Sequence, residues 1–256
     1  WIDDLVAHSG YTLVPEFRNM WPYSINEATN YGYAAKYKLN WVGDAGNTES
    51  IFEIPYVGLT TSDWGTNNFY NNTVNLFRGH RDSEAHRPFG HGWGFGTVNP
   101  NFVHSWLDAD TVRKSGSIWD QDGEKSYTDT YVFGADMQWH ETKYSEKKYI
   151  PINISYNGSN VAYAVKLYGS KNDIQLDNTQ NIILLRLADV LLMGAELGSS
   201  HAQAYMDQVR SRSKLASVPV TLANIKNERR WELAFEGLRY YDLLRWYGKE
   251  AGATIK

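Results

Sequence analysis

The C-terminal part of the chain places charged residues inside segments that are otherwise apolar, and this feature limits the folds that the chain can adopt. Residues 182–197 read IILLRLADVLLMGAEL and are apolar on nearly every side of a helix. Such a pattern predicts a helix that is buried all round. Its charged residues share one narrow stripe: Arg186, Asp189 and Glu196. Because an unpaired buried charge costs several kcal/mol, these side chains need partners of opposite sign.

A second helix, predicted over residues 221–237 with Thr221 as its N-cap, can supply those partners. Steps of roughly 100° per residue put one set of apolar residues on a single stripe: Trp231, Ala234, Phe235 and Leu238. The same steps put a charged set roughly opposite: Arg229, Glu232 and Glu236. A helix that is apolar on two sides, with charges between, is typical of one packed between other helices.

We therefore predict that Arg186 and Asp189 meet Arg229, Glu232 or Glu236 across a helix interface. A catalytic carboxylate pair is the functional alternative. Ion pairs in helical cores are mostly architectural, so we interpret these residues as a network that specifies the fold.

Two long motifs in this part of the chain resemble the closing motifs of the SusD/RagB family. They are LLRLADVLLMGAELG at 184–198 and NERRWELAFEGLRYYDLLRW at 227–246. Shorter upstream stretches are also similar to the family: ESIFEIPY at 49–56, GWGFGTVNPNFVHSWLDAD at 92–110 and KKYIPI at 147–152. The resemblance covers most of the chain, but the family's N-terminal part, with its early tetratricopeptide-like repeats and lipidated cysteine, has no counterpart here.

The resemblance implies a surface-exposed outer-membrane lipoprotein that binds glycans or peptides and caps a TonB-dependent transporter. It also implies a mostly α fold, with tetratricopeptide-like helical hairpins at the C-terminus, an irregular loop-rich region and a few short strands. A SusC-like transporter would be the partner. Attachment to the outer membrane at the cell surface would depend on an N-terminal lipid that is not present in this sequence.

The amino-acid composition of the sequence changes near residue 178. Residues 1–178 are rich in Gly, Asn, Asp, Trp and Tyr, and we predict a loop-rich, ligand-binding region there. Residues 179–256 are predicted to form a helical, repeat-like scaffold that belongs to the same domain. Local patterns predict further elements: a helix that ends at His8, a strand over 50–57, a helix over 101–107 capped by Asn99, strands over 126–133 and 161–168, and helices over 201–213 and 239–247.

Composition narrows the range of partners. The formal net charge of −4 argues against nucleic acid or an anionic membrane surface. The chain has no cysteine, which excludes disulfides and thiolate chemistry. No run approaches the roughly 20 apolar residues of a membrane-spanning helix, since Arg186 and Asp189 interrupt the best candidate.

The loop-rich region is also rich in aromatic residues, which suggests a sugar-binding surface. The chain has 10 Trp, 18 Tyr and 9 Phe. A sugar ring packs its C–H face on an aromatic plane, while short polar side chains bond its hydroxyls. Within residues 56–72 we predict platforms at Trp64 and Tyr70 with nearby polar partners: Asp63, Asn67, Asn68 and Asn71. Trp21 and Tyr23 form a second candidate platform, and core packing is the alternative for each of these aromatics.

A metal site and a glycosidase active site are the two alternatives to a simple binding site. A metal site would draw on one polar cluster: His80, Asp82, Glu84, His86 and His91. Its spacing matches no metal-binding motif, so we expect a solvated loop and neither a metal nor another cofactor. A glycosidase would need two convergent carboxylates from the acidic residues near aromatics: Asp63, Asp108, Asp110, Asp120 and Asp122. No catalytic motif accompanies these carboxylates.

The GWGFG stretch at 92–96 is a separate case. Its alternation of Gly with aromatic residues predicts a tight, packed turn rather than a ligand platform.

We therefore expect a non-catalytic binding protein that captures an oligosaccharide at the cell surface and delivers it to a SusC-like TonB-dependent transporter. Peptide capture is the first alternative, and it would use backbone hydrogen bonds and mixed polar loops rather than paired aromatic planes. A structural lid with no ligand site of its own is the second alternative.

Overall fold

The computed structural model describes residues 1–25, 31–57, 71–81, 88–124, 142–170, 173 and 175–254. Within this part of the chain the structure is mostly α-helical, and its short strands form two-stranded sheets. The predicted fold class, mostly α with a few short strands, is therefore confirmed. None of the described helices is long and apolar enough to cross a membrane.

The described helices are numbered in chain order: α1 (Ile2–His8), α2 (Gly32–Tyr37), α3 (Thr73–Arg78), α4 (Pro100–His104), α5 (Thr111–Ser117), α6 (Tyr163–Tyr168), α7 (Leu187–Glu196), α8 (Ala202–Arg212), α9 (Leu222–Glu232) and α10 (Arg239–Tyr247). The strands are numbered in the same way: β1 (Ser50–Ile54), β2 (Ile118–Asp120), β3 (Tyr144–Glu146), β4 (Asn153–Tyr156), β5 (Ser159–Ala162) and β6 (Ile182–Arg186). Strand β1 pairs with β6, β2 with β3, and β4 with β5.

The chain forms two compact units. The helical unit contains residues 1–13, 49–52 and 183–256, and the loop-rich unit contains residues 14–48 and 53–182. The boundary that we predicted after residue 178 lies near one of these junctions. The helical unit is nevertheless discontinuous in sequence, because α1 and the start of β1 also belong to it.

The core of the helical unit joins α1 to α7 and α8. Buried apolar residues of α7 and α8 pack together, and partly buried apolar residues of α1 pack against them. Gly194 allows this close approach, since a Cβ there would lie 2.9 Å from side-chain atoms of both Ile2 and Tyr205. The Tyr205 hydroxyl also donates a hydrogen bond of 2.6 Å to Asp3 in α1. Helix α1 is thus fixed by segments that lie far from it in the sequence.

The helix predicted over 182–197 is wrong in its N-terminal part. Residues Ile182–Arg186 form strand β6, which pairs with β1, and α7 begins only at Leu187. The Leu187 N–H donates to the carbonyl of Glu49 at 2.9 Å. A continuous apolar run has no period that separates strand from helix, so the sequence pattern could not mark this junction.

Helix capping follows the local sequence signals. The side chain of Asn99 accepts from the Asn101 N–H at 2.8 Å, and α4 begins directly after it. Thr221 caps α9 by accepting from the Asn224 N–H at 3.2 Å. Both predicted caps are confirmed, which shows that these side chains replace the missing carbonyl partners of the first helical turn.

Two other predicted boundaries are wrong. Helix α9 ends at Glu232 rather than at 237, and Phe235 in the following turn has a left-handed φ of 67°. The strand predicted over 161–168 is a helix from Tyr163 onward, closed by Gly169 in the left-handed conformation with φ 65°. A glycine in this conformation is a common helix end, and only residues 159–162 form strand. The strand predicted over 126–133 lies outside the described residues.

The core of the loop-rich unit is built largely from aromatic rings. Tyr31 and Phe89 are buried and meet edge to face with ring centroids 5.5 Å apart. Phe89 lies 4.5 Å from the buried ring of Trp119. Because Tyr31 precedes α2 and Trp119 lies in β2, this packing fixes the two elements that carry the pocket described below.

The GWGFG stretch makes close backbone contacts, as predicted. The Gly92 N–H donates to the His80 carbonyl at 2.7 Å. A Cβ on Gly96 would lie only 2.1 Å from the carbonyl oxygen of Arg78, so no side chain fits there. The Phe95 ring, however, is exposed rather than packed. The prediction therefore applies to the backbone of the turn but not to this ring.

Candidate functional site

The loop-rich unit contains an open pocket of about 350 Å³. This volume lies in the range of roughly 300–1,000 Å³ that is typical of ligand sites. One part of the wall comes from α2, and other parts come from α5, β2 and the turn after β2. The lining includes two aromatic rings, three carboxylates and two lysines: Tyr33, Tyr37, Asp108, Asp120, Glu124, Lys36 and Lys114. We refer to it as the Tyr37 pocket.

Two tyrosines on α2 form the aromatic side of this pocket. Tyr33 and Tyr37 are one helical turn apart, which lets both rings reach the same side. Their centroids are 5.0 Å apart, and Tyr37 is 42% exposed whereas Tyr33 is buried. The Arg18 guanidinium lies 4.2 Å from the Tyr37 ring centroid, and Glu16 holds Arg18 at 2.8 Å. Since Arg18 does not line the pocket, this cation–π contact fixes the ring without covering its accessible side.

A buried cation lies beside the pocket lining. Lys147 pairs with Glu124, donates to the Ser115 carbonyl at 2.9 Å, and lies 4.0 Å from the Tyr33 ring centroid. Burial lowers the pKa of Lys147, and the pairing with Glu124 opposes this effect. Burial and the Glu124 carboxylate both raise the pKa of Tyr31, whose hydroxyl donates to Glu124. Glu124 is thus engaged by two buried partners and forms a fixed part of the lining.

The rim of the pocket carries polar side chains that make fewer internal contacts than Glu124 does. The Asp120 carboxylate accepts from the Gly123 N–H at 3.0 Å, which holds it at the turn after β2. The side chains of Asp108 and Lys114 have no hydrogen-bond or ion-pair partner among the described residues. A carboxylate accepts and an ammonium donates hydrogen bonds, so the rim can meet both kinds of hydrogen-bonding group on a polyhydroxyl ligand.

The other acidic residues considered for catalysis have structural partners or lie outside the described part. Asp110 caps α5 and pairs with Arg113 at 2.7 Å, and both side chains are fully buried. Asp122 pairs with Lys143 at 2.8 Å. Asp63 lies outside the described residues. Of the described members of that set, only Asp108 and Asp120 line the Tyr37 pocket.

Most of the predicted sugar-binding cluster falls on residues that the structure does not describe: Trp64, Tyr70, Asp63, Asn67 and Asn68. Asn71, its last member, is described and buried. Its side-chain amide has no hydrogen-bond partner among the described residues. At this position it does not present a polar group to solvent.

The second predicted platform, Trp21 and Tyr23, is wrong. Both side chains are 0% exposed, so neither ring can stack on a ligand. Trp21 packs edge to face with Tyr149 at 5.5 Å, and the Tyr23 hydroxyl donates to the Gly116 carbonyl at 2.7 Å. The core packing that was the alternative for these aromatics accounts for both.

The helical unit brings the predicted charged residues together. Arg186, at the end of β6, contacts Glu232 and Glu236, each at 2.7 Å. It also contacts Glu49 at 2.6 Å, and Arg212 pairs with both Glu49 and Glu232. Burial opposes the charge of Arg186, but the three carboxylates hold its pKa above the ordinary value. Sequence reasoning missed Glu49 and Arg212, which lie outside the two charged segments that it paired.

A second cluster lies along α7, α9 and α10. Arg229 contacts Asp189 at 2.5 Å and Asp242 at 2.9 Å, and these side chains are buried. Arg245 joins Asp242 to Glu196 at 3.0 and 2.5 Å. Asp189 and Glu196 of α7 thus meet Arg229 of α9 and Arg245 of α10. The carboxylates of both clusters are paired with arginines and are largely buried, which favours the architectural interpretation over a catalytic one.

The histidine cluster is only partly described. His80 and His91 are neighbours across an isolated parallel bridge, and the buried His80 ring lies 5.3 Å from Trp119, edge to face. Asp82, Glu84 and His86 lie outside the described residues. Within the part of the chain that is described, no three metal-ligating side chains converge.

The Tyr37 pocket was not predicted from the sequence. Its members come from residues 33–37 and 103–124, which are separated by other elements. One local signal was present: Tyr33 and Tyr37 have the spacing that places two rings on one face of a helix. Without the fold, nothing indicated that this face meets the acidic residues at 108 and 120.

These features define a mostly α protein, stabilised by buried ion pairs, whose loop-rich unit carries an open aromatic-lined pocket. The model of the SusD family matches residues 48–255, and the chain belongs to the SusD family. The membership suggested by the C-terminal motifs is confirmed.

Individual relatives agree with this assignment. SusD-like protein P2 of Formosa agariphila is 28% identical over 221 residues, which cover 78% of this chain and 40% of that protein. A solved structure titled laminarin binding SusD-like protein matches with a TM-score of 0.69 at 28% identity, covering 97% of this chain and 48% of that one. Surface glycan-binding protein A from Bacteroides thetaiotaomicron shares the fold, with a TM-score of 0.68, 22% identity, and coverage of 96% and 48%. The chain spans less than half the length of these relatives.

Proposed function

We propose that this chain is part of a non-catalytic binding protein of the outer membrane that captures an oligosaccharide at the cell surface. The observation that carries the proposal is the Tyr37 pocket, where an exposed ring stands beside uncommitted carboxylate and ammonium groups. The captured glycan is then passed to a SusC-like TonB-dependent transporter, and a lipid anchor holds the whole protein at the membrane.

The choice of sugar rather than peptide rests on the chemistry of the pocket. A pyranose presents an apolar C–H face that covers an aromatic ring, and hydroxyls around its edge that need donors and acceptors. Tyr37 offers the ring, Asp108 an acceptor and Lys114 a donor. The relative at 28% identity is named for binding laminarin, which makes laminarihexaose the first probe.

Replacement of Tyr37 by Ala tests the proposal. We expect the affinity for laminarihexaose to fall about five-fold or more, since an aromatic contact contributes roughly 1 kcal/mol. Isothermal titration calorimetry measures the change. Tyr240→Ala is the matched control, because Tyr240 is also exposed but does not line the pocket, and it should bind as the parent does.

The outcome that contradicts the proposal is equal binding by Tyr37→Ala and its control. Binding of extended peptides with no binding across a panel of neutral oligosaccharides would favour peptide capture instead. The cluster around Trp64 and Tyr70 remains a prediction, and Trp64→Ala in the same titration decides whether it contributes to glycan affinity.

A further inference from the structure

The loop-rich unit has a second, smaller cavity of about 150 Å³, apart from the Tyr37 pocket in its lining residues. We propose that this cavity binds a single pyranose ring of an oligosaccharide, a step that rests on the proposed function. Residues from four segments line it: Ile25, Asn40, Trp41, Ile154, Tyr163, Lys166 and Leu167. We refer to it as the Trp41 cavity.

Trp41 has a ring face available for stacking. It is partly exposed at the cavity, and it contacts the buried ring of Tyr163 with centroids 5.4 Å apart and planes at 77°. In a T-shaped pair the edge of one ring meets the face of the other. Tyr163 therefore covers at most one face of the Trp41 indole, and the partial exposure of Trp41 leaves part of the ring accessible at the cavity.

The rim of the cavity carries polar side chains that have no partner among the described residues. Asn40 is fixed through its backbone, whose N–H donates to the Asn19 side chain at 2.8 Å. Its side-chain amide forms no hydrogen bond within the described part of the chain. The exposed Lys166 ammonium on α6 has no ion pair there either. These groups can therefore bond sugar hydroxyls without first breaking a contact to another described residue.

The size and the floor of the cavity set the class of ligand. Ile154 and Tyr163 are buried and form apolar surface beneath Trp41. A volume of about 150 Å³ is close to that of an engineered cavity that binds one benzene ring, so it suits one sugar ring and not several. Among the described lining residues of the Trp41 cavity there is no carboxylate, whereas three carboxylates line the Tyr37 pocket. The two sites therefore bind hydroxyls with different groups: the Trp41 cavity is richer in hydrogen-bond donors, and the Tyr37 pocket is richer in acceptors.

The test follows the indole N–H signals of protein labelled with ¹⁵N at tryptophan during titration with laminarihexaose and with a xylogluco-oligosaccharide. Trp41→Phe removes one signal and so identifies it. We expect that signal to shift and saturate with at least one of the two glycans. Lys166→Ala and Asn40→Ala should each weaken this saturation about three- to ten-fold. Both residues are exposed, so the fold should persist.

Tyr168→Ala is the matched control, since Tyr168 is an exposed residue of the same helix that does not line the cavity; it should leave the titration unchanged. Calorimetry could detect binding that Tyr37→Ala weakens while the Trp41 signal does not shift. This result would contradict the assignment of the Trp41 cavity as a sugar site and would leave the proposed function intact. A Trp41 signal that saturates at the same glycan concentration in the parent, Lys166→Ala and Asn40→Ala proteins would also contradict this assignment. If neither glycan binds by either method, the inference and the proposed function fail together.

Discussion

The guanidinium of Arg186 shows how the fold satisfies a charge that has no access to water. It is almost fully buried and contacts the carboxylates of Glu49, Glu232 and Glu236, while its Nη2 also donates to the Glu232 carbonyl at 2.8 Å. A guanidinium carries five N–H donors in a planar fork, so one side chain can serve several acceptors at once. Removal of Arg186 would leave three buried carboxylates with Arg212 as the remaining cation in contact with two of them.

We expect Arg186→Met to lower the free energy of unfolding by about 3–5 kcal/mol, the usual effect of removing one partner from a buried pair. Urea denaturation followed by circular dichroism measures it. Arg245→Ala is the control, because its side chain is 41% exposed, and its loss should cost no more than about 1 kcal/mol. Equal effects of the two substitutions would show that burial does not govern these contacts.

Asp44 provides a titration test. Burial, with Glu53 nearby, raises the pKa of Asp44 to about 7, and the hydrogen bond from the Asn181 N–H opposes this at 3.3 Å. The folded state therefore binds a proton that the unfolded state has already released, so stability falls as the pH rises from about 4 to about 7. At pH 8 the full destabilising effect of the Asp44 carboxylate on the folded state is present.

Asp44→Asn, which is neutral at every pH, should stabilise the protein by about 2 kcal/mol at pH 8 and much less at pH 5. The difference in urea unfolding between variant and parent, measured at both values, removes the contribution of other carboxylates. Asp122→Asn is a suitable comparison, since Asp122 is half exposed and pairs with Lys143 on the surface. A gain for Asp44→Asn that is the same at both pH values would contradict the assignment.

At the scale of the element, the helix starts are set by single side chains. Thr221 accepts from the Asn224 N–H at the first turn of α9, the helix that carries Arg229 and Glu232 into the ion clusters. Thr221→Ala should lower stability by about 0.5–2 kcal/mol, while Thr221→Ser, which keeps the oxygen, should lower it by less. Thermal unfolding of the three proteins distinguishes these cases, and equal losses for both would argue against the cap.

The elements also show what could be read from the sequence and what could not. Caps at Asn99 and Thr221 are local chemistry and were predicted correctly. Strand β6 was taken for helix because its first four residues are all apolar, so the sequence shows no polar–apolar alternation, although Leu184 is exposed in the structure. The pairing of Arg186 with Glu232 and Glu236 followed from the rule that buried charges need partners, whatever the secondary structure.

Exposure was harder to predict than pairing. Trp21 lies in a sequence context as polar and turn-rich as that of a surface loop, yet it is fully buried. Burial depends on which segments close over a ring, and that is a property of the fold. The Tyr37 pocket was missed for the same reason, since its acidic and aromatic members come together only through the packing of α2 near α5 and β2.

For the whole molecule, we expect binding without hydrolysis. Glu124 is held by Tyr31 and Lys147 beside the pocket, and Asp110 is held by Arg113, so these carboxylates are committed to structural contacts. Laminarihexaose incubated with the protein should be recovered intact by mass spectrometry. Shorter products that disappear in Asp108→Asn or Asp120→Asn would instead identify a glycosidase that uses the two rim carboxylates.

The discontinuous make-up of the helical unit has a consequence for synthesis. Asp3 of α1 is bonded to Ser199 and Tyr205, 196 and 202 positions further along the chain. While the ribosome is still adding the intervening residues, α1 has emerged but the surface it packs on does not yet exist. Such non-local closure is slow, so we expect this unit to complete its folding only after α7 and α8 have left the exit tunnel, with the apolar face of α1 meanwhile accessible to chaperones.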